Sequence, residues 1–279
     1  MDTYVRVIDF LDYSFCPRKI YLKRVLGLEE ERGEKALFGT LVHSVFDRLN
    51  EIEEEIVYKI DDEYPFDYIL KLYEATANKI INDVLDKYSE EIKEFSLSKE
   101  YLFIELKKHI YDDIYERAKN VYNTMKIYQE YGIFLWDKLE PKIKSELELL
   151  SDTLKIVGRI DRVEFYKDYI VPVEIKSGNS SSSHIFQIHA YALLLRHNFP
   201  NYTIDRGVIY YTKSRQRREV KLSYKYFSKV LAMRDKILSI IENEQDPGMN
   251  KNLNKCKKCT FYEVCKKLKH KKVIENNGG

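Results

Sequence analysis

Across residues 36–60 the apolar side chains Leu37, Leu41, Val45, Leu49, Ile52 and Ile56 recur every three or four positions, the period of a helix with one buried face. Two more helical stretches follow, over about 66–88 and 97–131, each heavily charged along one side. At Pro141 the period changes from helical to alternating. Ile143, Leu147 and Leu149 alternate with polar residues, and the segments TLKIVGRIDRVEFY (153–166) and DYIVPVEIKSG (168–178) read as two further strands joined by a turn at Lys167-Asp168. These three strands predict a meander. Pro172 removes a ladder donor from the last of them, so an edge-like or bulged stretch is expected there. The serine-rich NSSSS then leads to a helix over about 184–197, a strand in DRGVIYYT, a short strand near REVKL and a long helix over about 224–243.

Helices and strands in this order predict an α/β chain of mixed α+β character, with a mixed sheet flanked by helices. The 279 residues, 44% of them hydrophobic, suffice for a substantial core, and only 10 Gly and 6 Pro leave little room for long linkers. The net charge of +2 does not by itself mark a polyanion binder, but its distribution is uneven. Residues 51–63 hold seven acids and one Lys, which reads as a solvated face, whereas residues 251–272 hold nine Lys and one acid, Glu263. No apolar run approaches the ~20 residues of a membrane span and the N-terminus lacks a signal-peptide pattern, so a cytoplasmic location without membrane contact is expected. In that reducing compartment four cysteines point to metal ligation or redox chemistry more than to disulfides.

The stretch VPVEIKSG at 171–178 carries the first chemical signal. Strand alternation puts Val171, Val173 and Ile175 on one face and therefore Glu174 and Lys176 together on the other. Asp161 lies thirteen residues before Glu174, a spacing that lets adjacent antiparallel strands bring both acids to one end of a sheet. Two carboxylates in a cleft hold a hard divalent cation such as Mg²⁺ or Mn²⁺, and a neighbouring ammonium suits phosphodiester hydrolysis. A structural ion pair of Glu174 or Asp161 with Lys176 accounts for the same three residues. Histidines at 109, 184 and 189 read as ordinary packed side chains.

The second signal is CKKCTFYEVC, which places Cys256, Cys259 and Cys265 within ten residues, with Cys16 far upstream in YSFCPRKIYL. Four thiolates around one centre fit tetrahedral Zn²⁺ or an iron-sulfur cluster, and spacing alone does not choose between them; a disulfide pair is the third option. Basic residues Lys213, Arg215, Arg217, Arg218 and Lys221, with the terminal lysines and the rings of Tyr210, Tyr211, Phe261 and Tyr262, offer a path for a nucleic-acid strand, provided the rings are not used for packing.

Taken together, GTLVHSVFD (39–47), GRIDRVEF, VEIKSG and QIHAYALLL (187–195) resemble, in order, the four motifs of RecB-like nucleases of the PD-(D/E)XK fold. The resemblance implies His43, Asp161 and Glu174 as metal ligands with the Ile175 carbonyl beside them, Lys176 as a catalytic group, and Gln187 and Tyr191 as substrate-side supports. One cysteine ahead of this core and three behind it, as CPRKxYL and CxxCx₅C, resemble the CRISPR-associated Cas-four family, which implies a 4Fe-4S cluster on Cys16, Cys256, Cys259 and Cys265. The nuclease parts of Dna-two helicases and of AddB subunits share this layout, but no GxxxxGK[ST] phosphate loop is present, which favours the free-standing family. The implied division is an N-terminal segment 1–50 with the first cysteine and the GTLVH helix, a helical insertion 51–140, a nuclease core 141–245 and a cysteine-rich segment 246–279. The implied activity is a metal-dependent DNA exonuclease on single-stranded or frayed ends, trimming DNA for CRISPR spacer acquisition beside the integrase and its small partner. A general repair nuclease of the same chemistry and a catalytically idle iron-sulfur scaffold are the alternatives. The insertion is larger than such a fold needs and is expected either to arch over the site or to dock a partner.

Overall fold

The structure, a computed structural model, describes residues 3–62 and 64–268. Its N-terminal part runs β1 (Val5–Arg6), α1 (Val7–Phe15), α2 (Pro17–Ile20), a wide π-type turn (Tyr21–Val25) and α3 (Glu34–Tyr58). The insertion supplies α4 (Phe66–Lys87), α5 (Ser89–Glu94), α6 (Lys99–Tyr128) and α7 (Gly132–Lys138). Then follow β2 (Lys142–Ser151), β3 (Ile156–Phe165), β4 (Ile170–Lys176), α8 (His184–Asn198), β5 (Arg206–Tyr211), β6 (Gln216–Lys221), α9 (Tyr224–Glu242) and the short α10 (Leu253–Cys256). The expected 97–131 helix is shorter at both ends. Ser98 caps its first turn by accepting from the Tyr101 amide, and Gln129 ends it in the left-handed region.

β2, β3 and β4 form the antiparallel meander that the sequence pattern predicts, and β4 then pairs parallel with β5 through the α8 crossover. One face of the sheet, with Val171, Val173, Ile175 and Tyr210, packs on α3, α4, α6 and α7; the other packs on α1, α8 and α9. The result is three layers, helix on sheet on helix. α8 is buried nearly all round, because it sits between the sheet and α9.

Pro172 is not at an edge, since β4 is flanked by β3 and β5. The irregularity expected of it falls on the neighbouring chain: Tyr169 faces Thr203 while Val173 faces Val208, so the β5 side carries one residue more over this stretch.

The insertion is tied to the sheet by a buried ionic network. Arg117 binds Glu53 and Asp113 at 2.6 Å each, Asp113 binds Arg162 of β3 at 2.5 Å, and Glu164 binds Arg217 of β6 at 2.8 Å. Burial alone would raise the carboxyls of Asp113 and Glu164, but Arg117 and Arg162 hold Asp113 well below the usual range, and Arg162 and Arg217 hold Glu164 below it. This corrects two expectations. Glu53, in the acidic run, is buried rather than solvated, and Arg217 is committed to an ion pair. Glu63 of that run lies outside the described residues.

Candidate active site

The site forms where two strands share one edge of β3. The start of β3 pairs parallel with β1 at Ile156 and Val157, and its end pairs antiparallel with β4 from Arg162 to Phe165. Between these ladders β1 and β4 part, and a cleft of ≈ 500 Å³ opens, bordered by His43, Arg159, Asp161, Glu174, Lys176, Gln187 and Tyr191. Gly158 sits in its wall. A β-carbon there would come within 2.5 Å of Val7, 3.1 Å of Leu194 and 3.2 Å of Tyr191, so only glycine lets α1 and α8 approach β3 this closely.

α3 delivers His43, with Nδ1 3.5 Å from Asp161 Oδ1. Asp161 stands where the β3–β4 ladder stops and accepts the Ile175 amide at 2.8 Å, in place of a backbone carbonyl. Glu174, 2% exposed, pairs with Lys176 at 2.5 Å, while its second oxygen, Oε2, has no hydrogen-bond partner. The Ile175 carbonyl faces the His43 ring. From α8, Tyr191 donates to the Arg159 carbonyl at 2.9 Å, and the Gln187 side-chain oxygen is buried without a partner. Six of the seven expected site residues therefore border the cleft; the seventh, Ile175, reaches it through its backbone alone, with its side chain turned into the opposite core.

The electrostatics favour a cation. Burial, then the neighbouring Glu174, pushes the Asp161 carboxyl well above its usual range; burial keeps the His43 ring neutral with a lone pair to offer. Burial works against the Lys176 ammonium, but Glu174 and Asp161 outweigh it and leave its affinity for the proton raised. A His nitrogen, a crowded carboxylate pair and an orphaned carboxylate oxygen form a donor set that suits Mg²⁺ or Mn²⁺. One donor near this centre was not anticipated: the ligand atoms of His43, Glu146 and Asp161 all lie within 4.8 Å of one another. The SELELL pattern shows Glu146 as one of several acids on a strand and gives no sign that it turns toward Asp161.

Cys16, Cys256, Cys259 and Cys265 are free thiols that line one cavity with Phe15, Leu22 and Tyr262. Arg18, buried, reaches Cys265 Sγ at 2.9 Å and binds both Asp246 oxygens at 2.9 and 2.8 Å. Burial raises the thiols of Cys259 and Cys265. An all-thiol set around one mostly apolar pocket fits a thiophilic metal centre.

The expected stacking path is reduced. Strand alternation requires one of Tyr210 and Tyr211 to face inward; both are buried, and Phe261 is buried as well. Lys213, Arg215, Arg218 and Lys221 lie at the solvent-exposed end of the β5–β6 hairpin and along β6. Lys269, Lys271 and Lys272 lie outside the described residues. Among the described residues, none that borders this cleft comes from 51–140. Histidines 109, 184 and 189 are packed and hydrogen-bonded, to Thr212, to Tyr211 and to the Ile185 carbonyl. No helix among the described residues is long and apolar enough to cross a membrane.

Comparison with known proteins agrees with this geometry. The profile of the PD-(D/E)XK nuclease superfamily matches residues 10–266. The chain belongs to the PD-(D/E)XK nuclease superfamily. It is 24% identical over 90% of its length to the DNA replication ATP-dependent helicase/nuclease JHS1 of Arabidopsis thaliana, and 28% identical over 43% of its length to the CRISPR-associated exonuclease Cas4 of Rhodospirillum rubrum. A Cas4/endonuclease Cas1 fusion of that bacterium is also 28% identical over 43% of the chain. The aligned stretches span 19%, 38% and 21% of those relatives' own lengths. The family resemblance implied by the motifs thus holds, with Cas4 exonucleases among the relatives.

Proposed function

We propose that this nuclease is a divalent-metal-dependent DNA exonuclease that acts on single-stranded or frayed ends. The observation that carries the reading is the cleft at the β1/β4 divergence, where His43, Asp161 and Glu174 meet Lys176 and one buried carboxylate oxygen lacks any partner. His43, Asp161, Glu174 and the Ile175 carbonyl would hold Mn²⁺ or Mg²⁺. Such an ion supplies charge that polarises the scissile phosphate and acidifies the attacking water. Lys176, kept protonated by the two acids, neutralises charge growing on the phosphate and orients the water rather than removing its proton. Gln187 and Tyr191 shape the wall against which the substrate lies, with Lys213, Arg215, Arg218 and Lys221 further along its path.

Cys16, Cys256, Cys259 and Cys265 would hold a 4Fe-4S cluster that ties the two ends of the described chain. A role in trimming DNA before CRISPR integration, with an integrase as partner, is supported by the relative in which a Cas4 exonuclease and an endonuclease Cas1 form one chain. A general replication or repair nuclease is the second reading, favoured by the wider alignment with the helicase/nuclease.

The test compares linear and circular single-stranded DNA of one sequence in Mn²⁺. Degradation of the linear form alone is expected. Equal cutting of the circle would contradict end-directed action.

A further inference from the structure

Glu146 has an unusual backbone. It is a non-glycine residue at φ +50°, and it interrupts the β2–β3 ladder: Ser145 faces Arg162 and Leu147 faces Ile160, while the Glu146–Asp161 pair between them is skipped. A left-handed non-glycine residue in a strand is strained and persists where the surroundings impose it. Here it brings a Glu146 oxygen within 4.8 Å of donor atoms on both His43 and Asp161. Independently, Glu174 Oε2 is buried beside this group with no partner, which marks a centre whose donors are not all used.

Glu146 does have a partner in this structure, Arg159, whose Nε lies 2.7 Å from Oε2. The Arg159 side chain is 63% exposed and borders the same cleft. With its arginine end in solvent and its carboxylate end half-buried, this pair is screened on one side and its arginine can be exchanged.

We propose that Glu146 is a further protein ligand of the cation centre and that Arg159 is its exchange partner. In the cation-free protein the guanidinium neutralises Glu146. When a divalent cation takes the carboxylate, Arg159 is released into the cleft, where its planar fork suits a substrate phosphate. Cation and DNA binding are thereby coupled: each favours the state in which Arg159 has left Glu146. The inference rests on the metal-nuclease reading of the cleft.

The experiment titrates the full chain with Mn²⁺ without DNA, following loss of the free-ion EPR signal. Glu146→Gln is expected to weaken binding at least about tenfold, the scale seen when groups that serve a metal are removed. Arg159→Gln, which removes the competitor, is expected to tighten it. Glu148→Gln removes a carboxylate that borders the same cleft but is outside the His43–Glu146–Asp161 group, and is expected to change binding less than about twofold. Fluorescence anisotropy with a labelled single strand is expected to show that added Ca²⁺ strengthens DNA binding by the native protein and does so less in Arg159→Gln. Unchanged Mn²⁺ affinity in Glu146→Gln, or equal losses in Glu146→Gln and Glu148→Gln, would overturn ligation by Glu146. Unchanged or weaker affinity in Arg159→Gln would overturn the exchange. Asp161→Ala separates the two levels: if it still binds Mn²⁺ like the native protein, the metal reading of the cleft itself fails.

Discussion

At the scale of single residues, the site depends on two that do no chemistry. Gly158 is the contact point of β3 with α1 and α8, so Gly158→Ala should cost about 1–3 kcal/mol through overpacking, because the added carbon would collide with Val7 at 2.5 Å and crowd Tyr191 at 3.2 Å, nudging its ring. Chemical denaturation reads the first effect, and cleavage rate at saturating DNA reads the second. His184, packed against Tyr211, is lowered by burial and by Lys176 from its ordinary value near 6.5 to about 4. Its neutral form belongs to the folded state, so the stability that depends on it is whole above pH 6.5 and is lost as pH falls toward 4. Melting temperature against pH should therefore fall over that window, and the fall should be shallower in His184→Gln. An identical profile in the variant would remove His184 from the explanation.

At the scale of elements, the helical insertion is held to the sheet by charges as well as by its apolar face. Asp113 joins Arg117 of its own helix to Arg162 of β3. Asp113→Ala leaves two buried guanidinium groups short of a partner and should cost about 3–5 kcal/mol, measurable by urea unfolding; a loss below ~1 kcal/mol would show the network to be replaceable. Periodicity shows why much of this was legible: the 36–60 and 66–88 stretches have long, regular apolar spacing, and β2, β3 and β4 alternate. The short α1, α2 and α7 and the two-residue β1 carry too few residues to show a period. β1 nevertheless defines the cleft, because its pairing with β3 makes β4 part from it. The buried carboxylates of the insertion were hidden for another reason: Glu53, Asp113 and Arg117 resemble surface charges until their partners, distant in sequence, are brought beside them.

At the scale of the whole molecule, the two ends of the described chain meet at the thiols. Arg18 grips Asp246 and Cys265, and Thr260 donates to Glu30, so the N-terminal and C-terminal segments act as one unit around Cys16. If a cluster closes this loop, Cys16→Ser should lower iron content and visible absorbance together with melting temperature, since a clip that spans so much chain removes the most freedom from the unfolded state. Retained iron with unchanged melting would place the metal elsewhere. The motifs that meet at the cleft were readable because each lies on a regular element whose alternation or helical period fixes the direction of its side chains. Glu146 was not, because its role comes from a backbone torsion that no spacing reveals.

The most direct measurement is single-turnover degradation of end-labelled single-stranded DNA in Mn²⁺ by the native protein and by Asp161→Ala. Loss of at least about 10²–10³ in rate is expected in the variant, the scale for removing one group that stabilises the transition state. Cutting by Asp161→Ala at the native rate would contradict the account.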